Sequence, residues 1–400
     1  MENRLLHTPE GVRDIYNSEC ERKQVLQDKL FQVLKQYGYQ TIETPTFEYF
    51  DVFSREVGTT ASKELFKFFD REGNTLVMRP DFTPSIARSA AKYYHDEDMP
   101  IRFGYMGNTY INHHSLQGRL KETTQLGAEL IGDDSVGADA EIVALMIRCL
   151  KTAGLKEFQV SIGHLDFFRG LIEEADLEED TEYELRELIS NKNHFGIEEL
   201  LAEHKIPEDV RACLEKTPEF FGSAEMLKDA KKMVKNQKSL KALERLHTIY
   251  EALKAYGVED YITFDLGLVS KYKYYTGVIF KAYTYGVGEA LITGGRYDSL
   301  LKHFGKDSPA IGCVLLVNQL MAALSRQKIE IPTVKDMILL VYDKDSESEA
   351  VKQAEQLRLE GKKVTLLGRK EKDIAECKAY GERNGFARVL SLEGKDCIEV

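Results

Sequence analysis

Apolar residues recur at helical spacing in the first long segment, at Leu26, Leu30 and Leu34, and predict a helix that buries one face. Ser18 is placed to cap its start and Gly38 to end it. Residues 39–45 read as a strand stopped by Pro45, with a helical segment near residues 47–53 behind it. Residues 65–69 and 76–79 flank the turn Arg71-Glu72-Gly73-Asn74, the pattern of a hairpin. Thr83-Pro84 then starts a helix, with Thr at the cap and Pro at the first helical position. That leaves Asp81 in the connection between a strand end and a helix N-terminus.

Further strands are expected at residues 101–106 and 120–132. In the second, Thr123, Gln125, Gly127 and Glu129 alternate onto one face, and Leu126, Ala128 and Leu130 onto the other. An amide and a carboxylate flanking a glycine leave open space between them, a shape suited to a small polar ligand against a sheet. The same face also fits a half-exposed sheet whose polar residues meet water. A helix is expected over about residues 139–153. From about 166 to 257, Glu, Lys and Leu dominate with helical periodicity, as in Glu182-Tyr183-Glu184-Leu185-Arg186-Glu187-Leu188, and predict an all-helical insertion with solvated charges. Strand signals resume at 262 and at 274–285, and Gly294-Gly295-Arg296-Tyr297-Asp298 opens another helix. From 333 onward strands and helices alternate. The expected organisation is a large domain at 1–330 carrying the insertion, and a small α/β domain at 333–400.

Composition narrows the function. The 400 residues carry a formal net charge of -12, which opposes non-specific nucleic-acid binding, and acids and bases nearly cancel from Thr333 on. Six scattered cysteines form no C-x-x-C pair, so neither a zinc site nor a redox motif is indicated, and free buried thiols in a reducing cytosol are expected. His113 and His114 read as loop residues rather than metal ligands. No signal segment and no apolar run of membrane-spanning length is present in the sequence, so a cytoplasmic location is expected.

Four segments, taken together and in order, resemble histidyl-tRNA synthetases of class II: Arg79-Pro80-Asp81-Phe82-Thr83, Gly118-Arg119 through Glu129, Tyr274-Tyr275-Thr276-Gly277, and Gly294-Gly295-Arg296-Tyr297-Asp298. The resemblance covers residues 1–330. It implies an α+β fold, a class II antiparallel sheet flanked by helices, with dimers built partly through the segment containing Pro45. The 333–400 unit then sits where the synthetase carries its anticodon-binding domain, in shortened form. The resemblance also implies an L-histidine pocket. Glu129 would accept from the ring N–H, Tyr274, Tyr275 and Gln125 would make further polar contacts, and Asp81 with Thr83 would hold the α-ammonium. The family favours Glu where Asp81 stands, one methylene shorter. Gly294-Gly295 would let backbone approach the ligand, or would simply make a strand-to-helix turn.

The departures fall where the family handles phosphate. Joining a carboxylate to the α-phosphate of ATP brings anions together and needs positive charge there. Three arginine positions of the family are occupied here by Ile111, Ser270 and Gln319. Lys271 or Lys273 is a candidate substitute near Ser270, whereas none is evident beside Ile111 or Gln319. The expectation is a chain without catalytic residues, metal or cofactor.

A synthetase-like chain with its histidine pocket but without these charges resembles the HisZ family, the regulatory subunits of ATP phosphoribosyltransferase. This second resemblance, fitted also by Gly107-Asn108-Thr109 and by residues 8–14, implies a part in the first step of histidine biosynthesis. The implied partners are a short-form catalytic subunit in a hetero-octamer and L-histidine as feedback effector. A divergent histidyl-tRNA synthetase and a free-standing histidine sensor are the alternatives.

Overall fold

The computed structural model describes residues 4–53, 60–113, 119–268, 274–370, 372–393 and 396–400. His114, Gly118, Ser270, Lys271 and Lys273 lie outside the described residues. The chain divides into two units, Met1–Ile331 and Pro332–Val400.

The larger unit begins with α1 (Asn17–Gln36), β1 (Gln40–Thr41) and β2 (Phe47–Tyr49). The hairpin β3 (Lys67–Phe69) and β4 (Thr75–Met78), helix α2 (Thr83–Tyr93), and the long strands β5 (Ile101–Tyr110) and β6 (Glu122–Ile131) follow. After α3 (Val136–Thr152) and β7 (Gln159–His164) come α4 (Leu165–Ala175), α5 (Glu179–Ser190), α6 (His194–Ala202) and α7 (Glu208–Lys216). The short β8 (Phe221–Gly222), α8 (Ala224–Met233) and α9 (Gln237–Ala255) lead to β9 (Ile262–Asp265). The strands β10 (Val278–Tyr283), β11 (Ile292–Arg296) and β12 (Ala310–Leu316) and helix α10 (Val317–Arg326) close the unit.

One sheet runs in the order β1-β5-β6-β12-β11-β10-β7-β9-β8. Its centre from β5 to β7 is antiparallel, and β1 and β9 join by parallel pairing to β5 and β7. Helix α3 has buried residues all round (Ile142, Val143, Leu145, Met146 and Ile147) and lies in the same core as α1 and the apolar face of β6. A separate three-stranded sheet, β2-β4-β3, stands apart from it.

Several local expectations give way to tertiary structure. Helix α1 begins at Asn17, behind an extended Tyr16 that makes no side-chain cap, so Ser18 is inside the first turn. Residues 47–49 are strand, drawn into extended form by pairing with β4, and only 50–53 turn as a short 3₁₀ helix. Of residues 39–45 only Gln40 and Thr41 pair, and they pair parallel to β5. Gly294 and Gly295 sit within β11, and the chain after Asp298 makes a 3₁₀ turn over Leu300–Phe304 rather than an α-helix.

In the smaller unit, β13 (Met337–Tyr342), α11 (Glu347–Leu359), β14 (Lys363–Gly368), α12 (Ile374–Arg383), β15 (Arg388–Glu393) and β16 (Asp396–Glu399) form a sheet in the order β14-β13-β15-β16. The central β13 alternates. Ile338 and Leu340 pack with Ala350 and Ala354 of α11, while Leu339 and Val341 pack with Cys377 of α12.

Asp139 of α3 has no exposed surface and meets two cations. Its Oδ1 accepts from Arg296 Nη2 at 2.6 Å, and its Oδ2 accepts from Arg245 Nε at 2.7 Å. Removing the carboxylate leaves the buried Arg296 guanidinium with only its longer contacts to Asp298 and the Asp133 carbonyl, both at 3.1 Å. Asp139→Ala is expected to cost about 3–5 kcal/mol in urea denaturation, far more than the loss of an exposed pair such as Lys228 with Glu225.

Candidate functional site

Strand β6 supplies the floor of a cavity of about 690 Å³. Register fixes which side chains meet there. Glu129 lies opposite Gly312 of β12 and Phe103 of β5, and Gly127 lies opposite Tyr105. Residues directly opposite share a face, so the glycines make room for their partners. A Cβ on Gly312 would stand 1.6 Å from Glu129 Oε2, and one on Gly127 would stand 2.2 Å from the Tyr105 ring. The open space expected over Gly127 is therefore filled by the Tyr105 phenol. The cavity lies to its side, against Gln125.

Glu129 is 1% exposed. Its Oε1 accepts from Thr83 Oγ1 at 2.8 Å and its Oε2 from Tyr297 Oη at 2.5 Å. Burial outweighs these two bonds, and the nearby Asp81 charge adds to it, pushing the Glu129 carboxyl up to about 8. Thr83 is thus not the helix cap. It is the first residue of α2, with its hydroxyl spent on Glu129. Phe82 holds the N-cap position, and Asp81 just before it accepts through Oδ1 from the Phe82 and Thr83 amides at 2.7 and 3.4 Å.

Arg79 anchors the same segment. It donates to the carbonyls of Thr44 and Asn108 at 2.7 and 2.9 Å and lies 4.0 Å over the Phe82 ring. Phe82 stacks on Tyr105 with ring centres 4.5 Å apart. The stack fixes Asp81 and Thr83 from below.

The opposite wall comes from the loop before β10. Tyr274 and Tyr275 precede the strand, which begins only at Val278. Tyr274 packs on Tyr275 (4.7 Å) and edge-on to Tyr297 (6.1 Å). Asp81, Thr83, Gln125, Tyr274, Tyr275 and Tyr297 all line the one cavity, with Glu129 just beneath Thr83 and Tyr297. Gln125 Oε1 is buried without a hydrogen-bond partner within reach among the described residues, and a buried polar group in that condition asks for a ligand or water. Gly294 and Gly295 do not border this space. Their missing side chains accommodate Phe280 and Tyr275.

Tyr297 and Gly312 were not singled out from the sequence as pocket residues. Tyr297 belongs to a quoted motif, which was a usable signal. Gly312 reaches Glu129 only through strand pairing, and nothing local marks it.

At the outer end the cavity reaches Ile111, His113, Arg119, Glu289 and Gln319. Gln319 Nε2 donates to Glu289 Oε2 at 2.8 Å, and Arg119 pairs with Glu289 Oε1 at 3.1 Å. The expectation of no cation near Gln319 is corrected here, because β6 and α10 bring Arg119 to the same acid. Arg13 and Arg326 also border this end. Arg13 is paired with Glu19, and Arg326 donates to the Gly286 carbonyl. Among the described residues no group of three potential metal ligands occurs, and no helix is long and apolar enough to cross a membrane.

This sheet and its cavity define a class II aminoacyl-tRNA synthetase-like protein. The histidyl-tRNA synthetase family model matches residues 11–320. The chain is 39% identical to the ATP phosphoribosyltransferase regulatory subunit of Acetivibrio thermocellus, over 99% of this chain and 94% of that one. It is 37% identical to the subunit of the same name from Ruminiclostridium cellulolyticum, with the same coverage. A crystal structure described as an ATP phosphoribosyltransferase regulatory subunit/histidyl-tRNA synthetase from Bacillus halodurans C matches with a TM-score of 0.86 and 32% identity, covering 98% of this chain and 99% of that one. The histidyl-tRNA synthetase of Nostoc sp. PCC 7120 shares the fold at a TM-score of 0.81 and 18% identity, over 99% and 96% of the two chains. The chain belongs to the histidyl-tRNA synthetase-like family of ATP phosphoribosyltransferase regulatory subunits.

A carboxyl raised from 4.5 to about 8 on folding has a testable signature. Its contribution is fully present below pH 4.5 and is lost as pH rises through 8, because ionisation is penalised only in the folded chain. Without ligand, Glu129→Gln and wild type should melt alike near pH 5. The variant should gain on wild type by several degrees as pH rises to 8.5. A melting difference constant across that range would contradict the buried-carboxyl assignment.

Proposed function

We propose that this chain is the non-catalytic regulatory subunit of an ATP phosphoribosyltransferase, acting in the first step of histidine biosynthesis and reporting L-histidine to the enzyme. The full-length similarity to regulatory subunits supports the role and the catalytic partner. The observation that carries the ligand is the closed set around Gln125 and Glu129.

Histidine presents an ammonium, a carboxylate and a ring with one donor and one acceptor. Asp81 faces the cavity as the nearest anion for the ammonium. The ring lies against the Tyr274-Tyr275 wall with its polar edge toward Gln125, above the buried Glu129. A carboxyl poised near neutrality can accept from the ring N–H when ionised and donate when protonated.

The outer end does not suit adenylation. Ile111 and Gln319 carry no charge where the synthetase resemblance calls for arginine. The Arg119 and Arg13 charges at that end are each balanced by a carboxylate of the chain itself. An ATP phosphate would have to displace Glu289 to reach Arg119. Losing even one charge at the phosphate costs about 10²–10³-fold or more in rate, so the cavity holds an amino acid without activating it.

In the assembly we infer, a short-form catalytic subunit joins this chain in a hetero-octamer, and this chain pairs with itself through the β2-β4-β3 sheet that follows Pro45. That sheet exposes Phe47, Tyr49 and Phe69 at 53%, 58% and 73%, a cluster of aromatic surface of the sort interfaces cover. Histidine bound at one site changes the partner's activity by favouring one of two arrangements of the complex.

Two measurements test this reading. L-histidine at 100 times its dissociation constant should stabilise the chain by about 2.7 kcal/mol, seen as a raised melting temperature, while ATP with histidine yields no ATP–pyrophosphate exchange. Measurable exchange by the pure chain would point instead to a divergent synthetase. Paired Phe47→Asp and Phe69→Asp should convert the chain toward monomer in sedimentation without lowering its melting temperature by more than a few degrees; an unchanged oligomer would place self-association elsewhere.

A further inference from the structure

The helices between β7 and β9 do not border the cavity, yet two of their arginines hold its walls. Arg169 of α4 donates to the carbonyls of Tyr275 and Thr276 at 2.9 and 3.1 Å. It thereby sets the loop whose tyrosines line the ligand space. Leu165, the first residue of α4, donates its amide to the Gly277 carbonyl at 3.0 Å. His164 caps the same helix, its Nδ1 accepting from the Asp166 amide at 3.2 Å. Burial and the neighbouring Arg245, Arg169 and Arg296 push this imidazole down to about 3, so it stays a neutral acceptor.

The second arginine works through the buried acid. Arg245 of α9 bonds Asp139, and Asp139 holds Arg296. Arg296 precedes Tyr297, whose hydroxyl fixes Glu129. Its Nη1 also meets Asp298 Oδ1 at 3.1 Å, and Asp298 Oδ2 accepts from Thr276 Oγ1 at 3.1 Å. The two wall segments are thus tied to each other as well as to the helices.

Helices α4 and α9 are themselves locked together. Ser239 Oγ donates to the Phe167 carbonyl at 2.7 Å, and a Cβ on Gly170 would stand 2.4 Å from Asn236 Oδ1. One rigid helix pair therefore grips both the Tyr274-Tyr275 wall and the Tyr297-Glu129 wall. A ligand that draws these walls together has to move the pair, and a force on the pair has to reshape the site.

We propose that Arg169 and Arg245 are positioning residues for the ligand cavity, coupling the α4–α9 helical segment to ligand affinity without touching the ligand. This rests on the reading of the cavity as an L-histidine site. It makes the helical segment the moving part through which occupancy of the site is felt elsewhere.

The test is calorimetric titration of the full chain with L-histidine. Arg169→Met and Arg245→Met should raise the dissociation constant by about 5- to 150-fold, the usual range of coupling between linked sites. Arg169→Lys, which keeps charge but loses the two-pronged geometry, should give a smaller rise. Lys228→Met, which removes an exposed charge on α8, should leave it unchanged. A role confined to stability would lower the melting temperature of the methionine variants and leave the dissociation constant at its wild-type value, which overturns the proposal.

Should the methionine variants fail to fold, Arg169→Lys and amide hydrogen exchange on wild type decide. Saturating L-histidine should slow exchange in α4 and α9. Protection of residues 274–277 alone, with α4 and α9 unchanged, overturns the proposal. A wild-type chain that binds no L-histidine at all is a different result: it removes the functional reading itself, and this inference with it.

Discussion

Everything at the site depends on burying one carboxylate. Glu129 is placed under the cavity by β6, and it fits only because Gly312, directly across on β12, has no side chain. Burial would be costly for an ionised group without partners. Thr83 and Tyr297 supply them from opposite sides, one at the start of α2 and the other after β11. The carboxyl therefore fastens three elements that are distant in sequence. Its proton equilibrium is brought near neutrality by the same burial. The histidine sensor we propose has use for such a group, because histidine carries an imidazole that titrates near the same range.

The cavity's two ends have different chemistry. The inner end is closed by aromatic rings and buried acceptors, with Gln125 Oε1 left unmatched among the described residues. The outer end is more open, and there Arg119 answers Glu289 and Arg13 answers Glu19, while Arg326 is held by the Gly286 carbonyl. The histidine we propose would satisfy the inner end. A triphosphate finds no uncommitted fork of arginines at Ile111 or Gln319. That contrast is why the family resemblance to a synthetase leads to a regulator.

The sequence showed the parts of this arrangement that follow from local period. The alternation along β6 put Gln125 and Glu129 on one face because strand side chains repeat every two residues, and the apolar spacing of Leu26, Leu30 and Leu34 marked a buried helix face. Its errors are also physical. Thr83 before Pro84 carries a local capping signal, but the tertiary bond to Glu129 takes its hydroxyl, and the N-cap position falls to Phe82. Residues 47–49 lack a strand signal of their own and are extended because β4 pairs with them. Tyr297 stands 168 residues from Glu129, and Gly312 meets it only through register. No window along the chain contains either contact. The arginines of α4 and α9 looked like solvated charges for the same reason.

We propose that this pocket is where the complex reads histidine. The direct measurement is histidine inhibition of the reconstituted complex with its catalytic subunit, comparing wild type with Asp81→Asn, which keeps the side chain's shape and removes the charge that faces the ammonium. Activity without histidine should be unchanged and the half-inhibitory histidine concentration raised by about tenfold or more, one lost charge-assisted bond being worth roughly 1.5–3 kcal/mol. Inhibition at the wild-type concentration would contradict it and would place the effector site elsewhere in the assembly.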